Sequence, residues 1–272
     1  MEDLAVAVDQ QANGRPKAGR FARAGRSPNG RAPKPPRKGL LGRLLDATEE
    51  ENRQAILASL PAGLGGSLLD LGTHDGSFTV RVARHLASEH VMGVELLAEH
   101  AAAAEARGIE VHVADLCHSI PFESGSVDVV HANQVIEHVQ RTDRMLSEIS
   151  RVLRPGGIAC ISTNNLASLH NLGSLALGWQ PMPLHVSDEV IVGNPVNPEN
   201  GEPHEDLGRT HLRLFTARAL AELCEHHGLR TRAIQTVGYY PLPPRAARIA
   251  NRVDPLHGAF LIGLFEKPPA AQ

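Results

Sequence analysis

At 272 residues the chain is long enough for one large α/β domain and a tail, but too short for two full-sized domains. Hydrophobic residues make up 42% and aromatic residues only 3%, a mix that favours helices packed on aliphatic strands over an aromatic-rich β-sandwich. The net charge of −3 is unevenly divided: residues 1–38 hold nine Lys/Arg against three acids (net +6), and the remainder is net −9, which excludes a broad nucleic-acid footprint on the body.

Residues 1–38 are rich in Gly, Pro and Arg and cannot bury enough surface to offset the entropy of ordering them, so a disordered basic tail is expected there. The domain proper then covers residues 39–272. Helical spacing of Leu41, Leu44, Leu45, Ile56, Leu57 and Leu60 predicts a helix or helix pair before Pro61. Short apolar runs then alternate with amphipathic stretches. Strands are predicted at Ser67–Leu71, His90–Glu95, Ile109–Val113, Val127–His131 and Ile158–Ser162, with helices at Ser77–Ser88, Ala98–Arg107 and Arg141–Leu153, the last stopped by Pro155-Gly156-Gly157. Residues 164–210 break this rhythm with Pro, Gly and Asn around one short helix candidate at Leu166–Leu177, as expected of an acceptor-side insertion or lid. Thr216 is a plausible N-cap for a helix ending at Gly228, and two late strands, Arg232–Tyr239 and Phe260–Phe265, flank a Pro- and Arg-rich connection. The alternation implies a Rossmann-like, doubly wound, mostly parallel seven-stranded sheet with helices on both faces.

No stretch approaches the ~20 consecutive apolar residues of a membrane span, and no apolar run follows the charged N-terminus as a secretory signal requires. Cys117, Cys160 and Cys224 form no CxxC pair, so reduced thiols in a cytoplasmic protein are expected.

The most informative segment is Asp70-Leu71-Gly72-Thr73-His74-Asp75-Gly76, where a strand ends in an acid and two glycines bracket the turn into a helix. Two further strands end in acids, Glu95 and Asp115. A carboxylate at the second strand end can accept both hydroxyls of a ribose, and one at the third can accept an exocyclic adenine amine. Three such acids suit a cofactor with an ammonium group, a ribose and an adenine. They suit a dinucleotide poorly, because its pyrophosphate would sit on the first helix N-terminus beside Asp70 and Asp75.

At this point the chain resembles the class I S-adenosylmethionine-dependent methyltransferases, particularly the small-molecule-directed group called type 11. The resemblance rests on Asp70–Gly76, Gly93-Val94-Glu95, Ala114-Asp115-Leu116, Pro121-Phe122, Ser126–Val130, Ile136-Glu137-His138-Val139, Arg151–Gly157 and His211–Thr216, in the family's order. It implies S-adenosyl-L-methionine as cofactor, with Asp70, Gly72, His74 and Gly76 around its methionine moiety. It likewise implies Glu95 on the ribose, Asp115 and Leu116 at the adenine, and Asn133 lining the methionine side. Position 74, commonly Gly in the family, is His here.

Methyl transfer from a sulfonium draws chiefly on proximity and orientation; a base is needed only where the acceptor must lose a proton. Glu137 and His138 are the catalytic candidates, with His138 the better base. Glu137, His138 and His211 also resemble three of four ligands in the metal-dependent branch of the superfamily, but the fourth position is Gln134, and no metal is expected. Trp179 and His211 are candidate acceptor contacts. Asn165–Ser168 and Gly178–Pro181 resemble a pattern of methyltransferases associated with cell-surface sugars. O-Methylation of a small molecule or cell-surface sugar is thus the expectation, with a small-molecule acceptor and no nucleic-acid partner. The alternatives are an RNA- or protein-directed methyltransferase docking through its basic tail, and a non-catalytic cofactor-binding protein.

Overall fold

The computed structural model describes residues 39–187, 189–203 and 210–269; the expected disordered tail lies outside them. Seven strands, β1 (Ser67–Leu71), β2 (His90–Glu95), β3 (Glu110–Val113), β4 (Val127–Asn133), β5 (Leu153–Asn164), β6 (Arg230–Val237) and β7 (Phe260–Glu266), form one sheet in the order β3-β2-β1-β4-β5-β7-β6. All neighbours pair in parallel except β7, which runs antiparallel to β5 and β6. The expected fold class is therefore the observed one, and the strand order reverses between β1 and β4.

Alternation along the strands divides the core between the two faces. Leu69, Leu71, Val130, Ala132 and Ile161 pack with the helices α4 (Thr142–Val152) and α6 (Ala217–His226) on one face. Leu68, Val129, Cys160 and Ile262 pack with α1 (Leu40–Ser59) and α2 (Ser77–Leu86) on the other. Helix α3 (Ala98–Glu105) lies between β2 and β3. Cys160 and Cys224 are buried in this aliphatic packing, which pushes both thiols up to about 12 and leaves them inert as nucleophiles. Thr216 caps α6 as expected, its hydroxyl accepting from the Ala219 amide.

Two elements differ from expectation. Pro155-Gly156-Gly157 does not separate α4 from the next strand: β5 begins at Leu153, and the run is held by Leu153 opposite Val127 and by Gly156 and Gly157 bonding the Lys267 backbone. The Pro- and Arg-rich connection before β7 contains a helix, α7 (Pro244–Val253). Its proline occupies the first turn, where no amide is missed, and only Ala247 is buried, so no apolar core stripe marks it.

Among the described residues of 164–210 a single helix, α5 (Leu169–Ala176), is followed by irregular chain. This segment and the Tyr239–Pro241 stretch lie beyond the carboxyl ends of β5 and β6, while Glu95 and Val113 end β2 and β3. Ligand groups are thus distributed along one edge of the sheet. Among the described residues no helix is long and apolar enough to cross a membrane.

Candidate active site

Open α/β sheets bind ligands beyond the carboxyl ends of their strands, near the reversal in strand order. Here that crevice begins at the β1–α2 turn, where Gly72 and Gly76 have φ of +74° and +75°, backbone that side chains rarely adopt. His74 shares this left-handed region with φ +49°. Its side chain is largely exposed and its ring lies 4.1 Å from that of His100, so the substitution for glycine projects outward from the turn. Thr73 is buried, and its hydroxyl has no hydrogen-bond partner among the described residues.

Glu95 anchors this turn. One carboxylate oxygen accepts the His74 amide at 2.8 Å; the other accepts the Leu96 and Leu97 amides at 2.8 and 3.0 Å. A carboxylate offers about four acceptor positions, so roughly one remains for a ligand hydroxyl. Asp115 stands at the end of β3 and accepts the Cys117 amide, the leading cause that keeps its carboxyl below the usual range. Beside these acids Leu96 and Val113 are 56% and 58% exposed, apolar surface suited to a purine ring. Leu116 is packed in the core beside them.

Asp70 sits at the base of the turn. It is buried, and one oxygen accepts the Thr79 hydroxyl while the other meets His131 Nδ1 at 2.6 Å, fastening β1 to α2 and β4. It shapes the turn from behind. Asp75 is paired with Arg107 at 3.0 Å, and bonding to Ser77 first, then to Arg107, lowers its pKa to about 2. Charge at the turn itself is therefore largely compensated.

Asn133, at the end of β4, accepts from Asn52 Nδ2 at 3.0 Å, and Asn52 Oδ1 accepts the Ser162 hydroxyl. This trio, with Asn52 and Ser162 buried and Asn133 half-buried, ties α1 across the ends of β4 and β5. Asn52 was not singled out from the sequence; a buried Asn in an otherwise amphipathic helix was the available signal.

Beyond β4, Glu137 is fully buried, accepting from the Thr163 hydroxyl at 2.9 Å and Asn164 Nδ2 at 3.3 Å. Burial outweighs these bonds and raises its pKa to about 7. His138 is half-buried, with Nδ1 3.2 Å from the Thr210 carbonyl. Its ring lies 4.7 Å from that of His211, which stacks on His185 at 5.1 Å and places Nδ1 2.6 Å from the Pro183 carbonyl. Glu137, His138 and His211 each offer one atom, all within 4.8 Å of one another. Two imidazoles and one carboxylate resemble a transition-metal set more than a magnesium set. Glu137 already spends both oxygens inside the protein, and Gln134 bonds Asn164 and Ser162 in the fourth position.

The family model described as "Methyltransferase domain" matches residues 69–161. Those residues carry the Gly72–Gly76 turn, Glu95, Asp115, Asn133, Glu137 and His138 together. This segment is a class I S-adenosylmethionine-dependent methyltransferase domain.

Among the domain's relatives is demethylmenaquinone methyltransferase of Thermobifida fusca (strain YX), 34% identical, the match covering 52% of this chain and 61% of that one. Another is malonyl-[acyl-carrier protein] O-methyltransferase of Methylococcus capsulatus, 29% identical over 49% of this chain and 50% of that one. The chain therefore spans between half and about three-fifths of these relatives' own length. The structure of Haemonchus contortus phosphoethanolamine N-methyltransferase 2 in complex with S-adenosyl-L-methionine is similar with a TM-score of 0.53 and 18% identity. That match covers 80% of this chain and 52% of that one, and at such identity it attests the fold alone.

On the far side of the methyltransferase domain's crevice, Trp179 lines a cavity of about 180 Å³ with Leu41, His170, Leu177, Met182 and Tyr240. Apolar surroundings push His170 down to about 4, and the buried Tyr240 hydroxyl has no hydrogen-bond partner among the described residues. Trp179 lies on this cavity, whereas His211 is not among its lining residues and instead bonds the Pro183 carbonyl beside His138 and His185. A larger cleft between α2 and the amino ends of β2 and β3 lies at the opposite edge of the sheet from the strand-end acids.

Proposed function

We propose that this chain transfers a methyl group from S-adenosylmethionine to an oxygen of a small-molecule acceptor. The observation that carries this reading is the pairing of a nucleoside-suited end, Glu95 and Asp115 beside exposed Leu96 and Val113, with a histidine wall beyond β4. The buried Thr73 hydroxyl, at the turn between them and without a hydrogen-bond partner among the described residues, supplies a polar group that a bound cofactor would satisfy. When bound, the cofactor supplies a methyl group on a sulfonium, which leaves by in-line displacement.

The remaining work falls to the protein's own groups. Glu95 would hold ribose hydroxyls and Asp115 the adenine amine, with Asn133 on the methionine side. His138 would take the acceptor proton: with Nδ1–H donated to the Thr210 carbonyl, Nε2 is its basic nitrogen. Glu137 is a positioning residue, since its carboxyl lies wholly within the protein. Its backbone carbonyl also receives the Leu212 and Arg213 amides, fixing the segment that carries His211. We propose that the site works without a metal, because Glu137 is committed to Thr163 and Asn164. The apolar cavity beside Trp179 favours an acceptor with a hydrophobic body over a bare sugar. Unpaired cysteines at 117, 160 and 224 suit a reducing compartment, and we place the protein in the cytoplasm.

Calorimetry with S-adenosylhomocysteine, followed by transfer of a tritiated methyl group into fractionated cell extract, tests this function. Label entering a small-molecule fraction supports it. Absence of nucleoside binding, or preferential binding of a dinucleotide, refutes it.

A further inference from the structure

Helix α7 carries no acidic residue, and its only buried position is Ala247. At 100° per residue, Arg245, Arg248 and Arg252 fall on one stripe and Ile249 and Val253 on the next, both on the side away from Ala247. Ile249 is 63% exposed and Val253 81% exposed. Arg245 and Arg252 make no ion pair among the described residues, and Arg248 bonds only its own helix, at the Pro244 carbonyl, while facing Glu51. Arg245 and Arg252 thus put positive charge beside bare aliphatic surface, on a body (residues 39–272) that is net −9 with the α7 arginines counted.

The apolar surface continues past the helix. Leu256 is exposed, and the Leu169 amide bonds the neighbouring His257 carbonyl at 2.9 Å, bringing the start of α5 to this point. Helix α5 is turned inside out. Ser168, Asn171 and Ser174 are buried, with Asn171 bonding the Asn165 carbonyl and Ser174 receiving Asn194, while Leu169, Leu172 and Leu175 are exposed. Ordinary surface helices place leucines inward, so an outward leucine face needs an apolar environment beyond the described residues.

We infer that α7 and the outer face of α5 dock this protein on an anionic lipid bilayer. Nucleic acid would be met by the arginines alone and would leave Ile249, Val253 and Leu169 in water. An interfacial helix uses both stripes, with aliphatic side chains inserted at the acyl boundary and arginines on the headgroup phosphates. The nine basic residues of the sequence before Gly39 add charge of the same sign. The inference does not depend on methyl transfer, although a bilayer-docked enzyme would meet its acceptor there, and the cavity beside Trp179 is lined by Leu177, just past the end of α5.

The test is sedimentation of the full-length chain with vesicles of phosphatidylcholine alone or with phosphatidylglycerol. Binding is expected only to the anionic vesicles, falling as salt rises. The variants I249D/V253D and R245E/R252E, with melting temperatures checked against the parent, should each weaken partitioning by at least about tenfold. Equal binding to neutral vesicles, no binding to either, or full binding by folded I249D/V253D would each overturn the inference. So would retention on immobilised polyuridylate that both double variants lower equally, because that points to an electrostatic nucleic-acid site. Cofactor calorimetry on the same samples separates failure of docking from failure of the methyltransferase reading.

Discussion

Replacing Glu95 tests the cofactor end of the crevice most directly. Its carboxylate accepts three backbone amides, from His74, Leu96 and Leu97, leaving about one acceptor position for a ribose hydroxyl. Glu95→Ala strips the acceptor from all three amides. They lie at the crevice edge where water can enter, so the cost per amide is at the low end, about 1 kcal/mol, and the total about 2–3 kcal/mol. For a domain of this size that lowers the melting temperature by roughly 5–10 °C. Glu95→Gln retains one carbonyl oxygen for Leu96 and Leu97 and turns an amide group toward His74, so it unfolds at a temperature nearer the parent's. Both variants are expected to lose the proposed charge-assisted bond to the ribose, worth about 1.5–3 kcal/mol, a weakening of roughly tenfold to 150-fold. Calorimetry with S-adenosylhomocysteine on folded Glu95→Gln reads that loss separately from stability. Unchanged affinity in that variant would show that the Glu95 carboxylate braces the turn without touching the ligand.

His138→Gln should lower kcat by about 10²- to 10⁴-fold while S-adenosylhomocysteine affinity stays at the parent level; equal loss of both would remove His138 from proton transfer. Glu137→Gln should flatten the dependence of melting temperature on pH. The Glu137 pKa is raised from 4.5 to about 7, so its contribution to stability is complete below 4.5 and fades, by about 3 kcal/mol, as pH rises through 7. A parent and variant with parallel pH profiles would contradict this. Exhaustive chelation should leave turnover unchanged, and metal analysis of the chelated sample verifies that the test was complete; lost activity restored by zinc would assign Glu137, His138 and His211 as ligands. Asn52→Ala should lower the melting temperature by several degrees through loss of its bonds to Asn133 and Ser162, measured by calorimetry, whereas an unchanged value would mean α1 is held without them.

Much of the architecture could be read from local pattern. Ser67–Leu71 and His90–Glu95 have the predicted bounds because short aliphatic runs there end at glycines and acids, which are local punctuation. α7 escaped because its hydrophobic residues face outward, and periodicity finds a helix only when one side is buried. β5 was shortened at Pro155-Gly156-Gly157 because the partners that extend it, Val127 and Lys267, are remote in sequence.

Residue types at strand ends, Glu95 and Asp115 among them, were set by spacing along the chain, since a βαβ unit puts each such position on the same edge of the sheet whatever the side chains do afterwards. Which lone pairs stay available was decided by packing. Asp70 turned inward to His131 and Thr79, Glu95 took up three amides, and Glu137 was sealed behind Thr163. The meeting of His138 with His211 and His185, and of Trp179 with Leu41 and Tyr240, likewise depended on loops crossing between distant strands. A linear pattern records which groups a chain possesses. Their solvation and their neighbours, which fix reactivity, arise only when remote segments compete for the same space.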